Sequence, residues 1–393
     1  MKPIMNTPSQ DSSPRISEAT LSCPDRSVRW RRTLPLSVAA AFAIAGTLAR
    51  AQAPNLDELP AYQPDPAISG TVKIWGNTGQ AQVIANWQEG LGKLNPRIRV
   101  EFTSRATSTA IGALYINNTA DLALMGREIW HIETQAFVRT FKHKPLGIRI
   151  TSGTYESRGD TVALGFFVHA DNPVTKLNFR QLDAIFGAEH YRGTRNFRKW
   201  GDLGLTGEWA DKPIHIYGYW LDGGEAEFVR QIVMKNSYVW NSGYRQFWNT
   251  DVTPGGATIE SAGKFWVTDP IIDGKLIVET GTKITEALSK DPYGISLNGV
   301  GYTGAAIKPI AVSEGEDGPY VAPTRETVAN RSYPLTRSTY LYLDRPPGQP
   351  VKPVVREFLM YALSREGQEG VLREGKAIPL TAAVVAEERL KLQ

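Results

Sequence analysis

The chain has 393 residues, of which 41% are hydrophobic and 21% are charged. This composition is ordinary for a globular protein and excludes an intrinsically disordered chain, and the length suffices for two domains of ordinary size. The formal net charge of +4 is small and the basic residues are interleaved with acidic ones, so no nucleic-acid partner is expected.

The first 53 residues have the pattern of an export signal with a long polar extension. "RWRR" at 29–32 precedes the apolar stretch "TLPLSVAAAFAIAGTLA", and "ARAQA" follows as an A-x-A cleavage pattern that ends at Ala51 or Ala53. The apolar stretch is too short for a comfortable transmembrane span. We therefore predict an exported protein whose signal, residues 1–53, is cleaved near Ala51 or Ala53.

Cysteine and histidine usage predicts neither a metal site nor a cofactor. The sequence has one cysteine, Cys23, which precedes the predicted cleavage site, so the mature chain is expected to hold no disulfide and no cysteine metal site. The five histidines show no metal-ligand spacing, and no nucleophile elbow, Walker loop or zincin motif is present. An enzyme is therefore not predicted.

Strands and helices alternate after an extended, Pro- and Asp-rich leader at 54–68. The strands are predicted at 69–76, 97–104, 120–126, 161–173, 213–220, 306–312 and 333–343. The helices are predicted at 76–96 after a loop, 105–118 after a polar turn, 127–141, 177–187, 226–234 and 351–375. This alternation predicts an α/β fold with parallel strands, whose ligands bind at the carboxyl ends of the strands.

Three blocks of the sequence together form a recognisable pattern: "STAIGALYINNTADLALMGREI", "FFVHADNPVTKLNFRQLDAIFG" and "YPLTRSTYLYLDRPPGQPVKPVVREFLMYALSREGQEGVLREGKAIPL". These blocks resemble the phosphate-binding periplasmic protein family, the substrate-binding component of phosphate ABC transporters. The resemblance runs from about residue 70 to about residue 381, with the blocks in the order of the family.

The resemblance implies a two-lobed, type II-like periplasmic binding protein with a ligand cleft between the lobes. Each lobe would be a mostly parallel sheet flanked by helices, with residues 70–165 plus 300–393 in lobe one and residues 166–299 in lobe two. It also implies a monomer in the periplasm that binds phosphate or a related oxyanion and works with an inner-membrane ABC transporter.

The resemblance further implies four ligand-binding loops. In the family, loop N–H groups and hydroxyls at helix N-termini hold phosphate beside an acidic residue and an arginine, which suits a buried oxyanion. The first three loops would supply Asn77, Thr78, Gly79, Gln80, Thr107, Ser108, Thr109, Gly126 and Arg127. Simple helix capping explains loops one and two equally well. Arg127 is either a bidentate ligand of the oxyanion or the partner of Glu128, Glu133 or another acid.

The fourth loop, "YWLDGGEAEF" at 219–228, departs from the family, which has an arginine and then Ser-Gly-Thr. Aligned on the aromatic residue at the end of the loop, these positions are occupied by Tyr219, Gly223, Gly224 and Glu225. A carboxylate thus replaces a hydroxyl donor, and two like charges about 4 Å apart repel by several kcal/mol at an intermediate dielectric constant. A phosphate dianion would be disfavoured beside Glu225 unless that group were protonated or turned away.

Two other interpretations of this loop stay open at the level of sequence. Asp222, included with the predicted ligand residues, could instead begin a capping box as the N-cap, with Glu225 at N3. Aromatic residues beside the loops pack in the core or, if they face the cleft, suit a larger organic ligand: Trp75, Trp130, Tyr219 and Trp220. A divergent member of the family that binds another small ligand, or acts as a sensor or adaptor, is therefore the alternative function.

Overall fold

The structure is a computed structural model. It describes residues 54–105, 107–116, 119–156, 161–247, 271–272, 275–276 and 280–393. The predicted export signal, residues 1–53, lies outside the described residues.

The described part of the chain contains strands and helices in alternation. The strands are β1 Gly70–Gly76, β2 Ile98–Ser104, β3 Leu122–Met125, β4 Leu146–Ser152, β5 Leu164–His169, β6 Lys176–Asn178, β7 His215–Tyr219, β8 Tyr244–Phe247, β9 Ile271–Ile272, β10 Lys275–Leu276, β11 Gly294–Gly299, β12 Ile307–Pro309, β13 Ala311–Ser313 and β14 Ser338–Leu343. The helices are α1 Ala81–Leu94, α2 Thr107–Ala110, α3 His131–Phe141, α4 Phe179–Phe186, α5 Gly224–Ile232, α6 Thr280–Leu288, α7 Arg325–Ala329, α8 Pro353–Ala362, α9 Arg365–Glu374 and α10 Ala382–Leu390.

The first lobe is built on a five-stranded sheet in the order β2-β1-β3-β14-β4. Strand β1 pairs in parallel with β2 and β3, whereas β14 pairs antiparallel with β3 and β4. The apolar face of α1 packs on this sheet, and Val83, Ile84, Trp87 and Leu91 are all buried as their spacing predicts. The indole N–H of Trp87 donates to the Gly367 carbonyl oxygen at 2.7 Å, which fixes α1 against α9.

The second lobe is built on a five-stranded sheet in the order β12-β5-β11-β7-β8. Strand β5 pairs antiparallel with β11 and β12, while β7 pairs in parallel with β11 and β8. Helix α4 covers this sheet and begins with a capping box, in which Gln181 N–H donates to Asn178 Oδ1 at 2.9 Å and Asn178 N–H donates to Gln181 Oε1 at 3.0 Å. The two-lobed α/β architecture is thus as predicted, but the sheets are not mostly parallel: each has two parallel and two antiparallel pairings.

The second core extends further along the chain than the predicted boundary at residue 300. Ile310, Val312, Val328 and Leu335 are buried in the same cluster as the β5 and α4 side chains. We therefore propose that lobe two comprises about residues 164–335, and that the chain returns to lobe one immediately afterwards.

Two segments that lie side by side connect the lobes. Gly153 N–H donates to the Arg337 carbonyl oxygen at 2.9 Å, and Leu164 N–H donates to the Leu335 carbonyl oxygen at 3.2 Å. A Cβ on Gly153 would lie 2.2 Å from the Thr161 carbonyl oxygen, so this close approach requires glycine. The "SGT" sequence at 152–154 therefore belongs to the connection between the lobes.

Several predicted elements differ in their limits. The predicted helix at 351–375 is two helices, because Ser364 caps α9 by accepting from Gly367 N–H at 3.2 Å. The predicted strand at 333–343 begins only at Ser338, since the preceding residues form the connection between the lobes. Strand β4 and helix α6 were not predicted.

Candidate functional site

The first two predicted loops are joined by one asparagine. Asn77 Nδ2 donates to Thr107 Oγ1 at 2.8 Å, and Asn77 Oδ1 accepts from Gly79 N–H at 2.7 Å. The backbone of Thr78 and Ser108 is described but their side chains are not, and Thr109 is exposed. The polar side chain of Asn77 therefore organises loops one and two against each other.

Loop one also meets loop three. Gln80 is buried, and a Cβ on Gly126 would lie 2.5 Å from Gln80 Nε2, so a larger residue at 126 would displace the Gln80 amide. Gln80 Oε1 is a buried acceptor without a hydrogen-bond partner among the described residues. The four-residue loop Asn77–Gln80 thus contacts both neighbouring loops.

Arg127 in loop three has a carboxylate partner from the same loop and helix. Its Nη2 lies 2.6 Å from Glu133 Oε1, its Nη1 lies 2.8 Å from Glu133 Oε2, and its guanidinium lies 4.1 Å from the centre of the Trp130 ring. The ion-pair alternative for Arg127 is therefore present, and the pair is largely buried instead of lying at the surface.

Loop four leads into α5 without a side-chain cap. The N-cap of α5 is Gly223, and its carbonyl oxygen accepts the first helical hydrogen bond, from Glu227 N–H at 3.0 Å. The interpretation of Asp222 as the N-cap of a capping box is wrong, because the N-cap is the next residue, Gly223. Gly223 N–H closes the preceding turn by donating to the Trp220 carbonyl oxygen. The first-turn N–H groups of α5 thus have no side-chain cap to compete for them.

The start of α5 lies against two arginines. A Cβ on Gly224 would lie 3.3 Å from Arg127 Cδ and 3.8 Å from Arg337 Nη2. Arg337 stands in the connection between the lobes and its side chain is 4% exposed. Sequence reasoning missed Arg337 as a site residue, although it is the arginine of the Y-P-L-x-R pattern in the third family block.

Arg337 bridges acidic side chains of both lobes. Its Nε lies 3.2 Å from Oε2 of Glu128, which follows β3, and its Nη1 lies 3.8 Å from Oε1 of Glu225, which lies in α5. We call the set of charged residues at this junction the hinge cluster; its members are Arg127, Glu128, Glu133, Glu225 and Arg337. Loops three and four therefore meet at a buried, strongly charged junction between the lobes.

Two predicted ligand residues are not members of the hinge cluster. The Tyr219 hydroxyl donates to Asn298 Oδ1 at 2.9 Å and accepts from Gly299 N–H at 3.0 Å, so it is bound to β11. Burial, together with the nearby charge of Glu225, raises the pKa of Tyr219 well above its ordinary value. Asp222 is exposed at the surface.

The aromatic side chains beside the loops have different surroundings. Arg105 lies 5.3 Å from the centre of the Trp75 ring, and Arg127 lies over Trp130. Trp220 is 36% exposed. Cations therefore cover Trp75 and Trp130, which gives little support to an aromatic site for an organic ligand.

A groove of about 680 Å³ lies beside the hinge cluster, between α3 and α5. None of the predicted ligand residues lines it. Two contacts between the lobes lie next to it: His131 Nδ1 is 2.7 Å from the Tyr238 hydroxyl, and Gln231 Nε2 donates to the Ile129 carbonyl oxygen at 3.2 Å. These contacts hold α3 of the first lobe against α5 and the loop after it.

The described residues show neither a metal-binding group nor a membrane span. Among those residues, no three His, Cys, Asp or Glu side chains gather as a metal-binding group. No helix in the described part of the chain is both long and apolar enough to span a bilayer.

Comparisons with known proteins identify the family. A family model described as "PBP superfamily domain" matches residues 61–366. The phosphate-binding protein PstS of Pseudomonas aeruginosa is 30% identical over 359 residues, which cover 91% of this chain and 97% of that protein.

Solved structures that resemble the chain include PstS from Borrelia burgdorferi, at 16% identity and a TM-score of 0.48, covering 79% of this chain and 99% of that one. An ABC-type phosphate transport receptor from Vibrio cholerae resembles it at 16% identity and a TM-score of 0.47, covering 79% of this chain and all of that one (100%). Because the family model matches residues 61–366 and the Pseudomonas aeruginosa protein is 30% identical over almost the whole length, the chain belongs to the phosphate-binding periplasmic protein family of the PBP superfamily.

Proposed function

We propose that this protein is an exported receptor that binds inorganic phosphate between its two lobes and delivers it to an inner-membrane ABC transporter. Membership of the family and the length of the match to a phosphate-binding relative support this function. The proposal includes a periplasmic location, a monomer, removal of residues 1–53, and no catalytic activity.

The observation that carries the proposal is the position of Arg337. Its buried guanidinium lies at the uncapped start of α5, at the junction where Glu128 of one lobe and Glu225 of the other meet. A guanidinium and first-turn N–H groups are the donors that an oxyanion requires, and an oxyanion bound there would contact both lobes. Binding would therefore favour the closed arrangement of the lobes.

Arg127 serves this site in a different way. Its guanidinium is already bound to both carboxylate oxygens of Glu133, so we assign to it the positioning of loop three against Gly224. The direct donors that we assign to the site are Arg337 and the first-turn N–H groups of α5. The Asn77 amide and the Gly79 N–H already bond within loops one and two, so we assign to them the shaping of those loops.

The unpartnered acceptor on Gln80 fits a ligand that carries a proton. Phosphate at neutral pH retains at least one hydroxyl, which can donate a hydrogen bond to a buried acceptor or to a carboxylate. Sulfate is fully ionised at neutral pH and offers only acceptors. We therefore expect the site to prefer phosphate to sulfate.

Calorimetric titration of the purified protein with phosphate at pH 7, with sulfate as the matched control anion, tests the proposed function. We expect a dissociation constant of about 1 μM or lower for phosphate and much weaker binding of sulfate. A folded protein that shows no heat of binding with phosphate, and no rise in its unfolding temperature at millimolar phosphate, would contradict the proposal.

A further inference from the structure

Each arginine of the hinge cluster has one close carboxylate partner, and within the cluster Glu225 has no close partner. Two guanidiniums, those of Arg127 and Arg337, face three carboxylates, those of Glu128, Glu133 and Glu225. Arg127 pairs with Glu133 at 2.6 Å and Arg337 pairs with Glu128 at 3.2 Å. Arg331, whose Nη1 donates to the Arg337 carbonyl oxygen at 3.4 Å, also interacts with the charge of Glu128, so Glu225 is singled out by its looser contact and not by a count of charges. Any anion that enters the cluster meets the negative charge of Glu225.

Glu225 is also the most loosely held member of the cluster. Its Oε1 lies 3.8 Å from Arg337 Nη1, beyond hydrogen-bonding distance, and its side chain is 40% exposed. The Glu133 and Glu128 side chains, by contrast, are 11% and 16% exposed. Glu225 can thus leave Arg337 by rotating toward solvent, which the two more deeply buried carboxylates cannot do at similar cost.

We infer that Glu225 is an internal competitor for the oxyanion and so sets the affinity of the site. In the empty protein its carboxylate neutralises the outer side of the Arg337 guanidinium, and an entering oxyanion displaces it into solvent. The inference rests on the proposed function, because it concerns the same site and the same class of ligand. It explains how a carboxylate can occupy the position of a hydroxyl donor in this family without excluding phosphate.

The test compares phosphate affinity in the full protein and its variants by calorimetry at pH 7. Glu225→Gln removes the competing charge, and Asp222→Asn is the matched control, since it removes one negative charge from the exposed part of the same loop. We expect Glu225→Gln to bind phosphate at least tenfold more tightly than the wild type, and Asp222→Asn to stay within about twofold of it.

A second pair of variants separates competition from a structural effect. If Glu225 competes for Arg337, the gain from Glu225→Gln disappears in an Arg337→Gln background, as a double-mutant cycle shows. Arg337→Met, which also removes the charge but keeps a long apolar side chain, replaces Arg337→Gln if the latter does not fold. If Glu225→Gln raises the phosphate affinity equally in the presence and absence of Arg337, the inference is overturned.

The outcomes also separate this inference from the proposed function. If the wild type binds phosphate and Glu225→Gln binds equally or more weakly, the competitor role is overturned while the proposed function stands. If Glu225→Gln binds and the wild type does not, the opposing role of Glu225 is supported, while the proposed function of the wild type fails. If neither folded protein binds phosphate, the proposed function and the inference both fail.

Discussion

The carboxylate of Glu133 holds the guanidinium of Arg127 at two points, with Nη2 2.6 Å from Oε1 and Nη1 2.8 Å from Oε2. Both side chains are about one-tenth exposed, at 10% and 11%. The same carboxylate accepts from Trp130 N–H at 2.8 Å, immediately before α3. Glu133 thus stabilises the N-terminus of α3 and also positions Arg127 against the start of α5.

Breaking this pair should destabilise the fold. Arg127→Gln leaves the Glu133 charge buried without its partner, and we expect a loss of about 3 kcal/mol in the free energy of unfolding, measured by urea denaturation. The exposed pair of Lys93 and Glu89 provides the control, and Lys93→Gln should leave the urea midpoint nearly unchanged. Equal midpoints for Arg127→Gln and the wild type would contradict this role.

Tyr219 is expected to support the second lobe without binding the ligand. Tyr219→Phe removes the hydrogen bonds to Asn298 and to Gly299 N–H, and should cost about 1 kcal/mol of stability while leaving phosphate affinity unchanged. Tyr219→Arg would place a charge in this partly buried network and should lower stability further without improving affinity. A clear gain in phosphate affinity for Tyr219→Arg would show that position 219 faces the ligand.

The hydrogen bond between His131 and Tyr238 should favour the closed arrangement of the lobes. Tyr238→Phe removes the hydroxyl that lies 2.7 Å from His131 Nδ1 but keeps the ring on which Arg230 stacks at 3.9 Å. Loss of one such hydrogen bond corresponds to about 1 kcal/mol, so the open population should rise about fivefold.

Spin-label distance measurements between the lobes would detect this change. Tyr191→Phe is the matched control, because the Tyr191 hydroxyl donates to Glu189 within the second lobe. Identical distance distributions for Tyr238→Phe and the wild type would show that this contact does not influence closure.

Asp291 should make the stability of the second lobe depend on pH. Burial acts to raise its pKa, but hydrogen bonds from the Tyr217 hydroxyl at 2.8 Å and from His215 at 2.7 Å outweigh burial and leave the pKa below its ordinary value. A lowered pKa in the folded state contributes stability above the ordinary aspartate pKa, and that stability is lost as pH falls through the folded-state value.

The expected result is a urea midpoint that declines below about pH 4, where an unperturbed aspartate becomes protonated. Asp291→Asn should be less stable than the wild type at pH 7 and should show a shallower decline between pH 4 and pH 3. Asp317→Asn removes the same charge from an exposed residue, so its urea midpoint should depend on pH as that of the wild type does. A parallel decline for Asp291→Asn would assign the acid sensitivity to other groups.

Local signals in the sequence predicted much of the fold. The spacing of Val83, Ile84, Trp87 and Leu91 defines the buried face of α1, because apolar side chains three and four residues apart share one side of a helix. The family blocks added the two-lobed arrangement. Strand β4 was not predicted, although Ile148 and Ile150 in it are buried and alternate along the strand.

The sequence by itself determined the family and the two-lobed α/β fold, and it predicts a change of chemistry at Glu225. Only the tertiary structure decided what surrounds that carboxylate. Arg337 is 209 residues from Glu128 in the chain, yet the connection between the lobes brings their side chains to 3.2 Å. Helix caps and amphipathic patterns involve residues three or four apart, so they can be predicted from the sequence. A charge pair between the lobes depends instead on how the chain crosses from one lobe to the other.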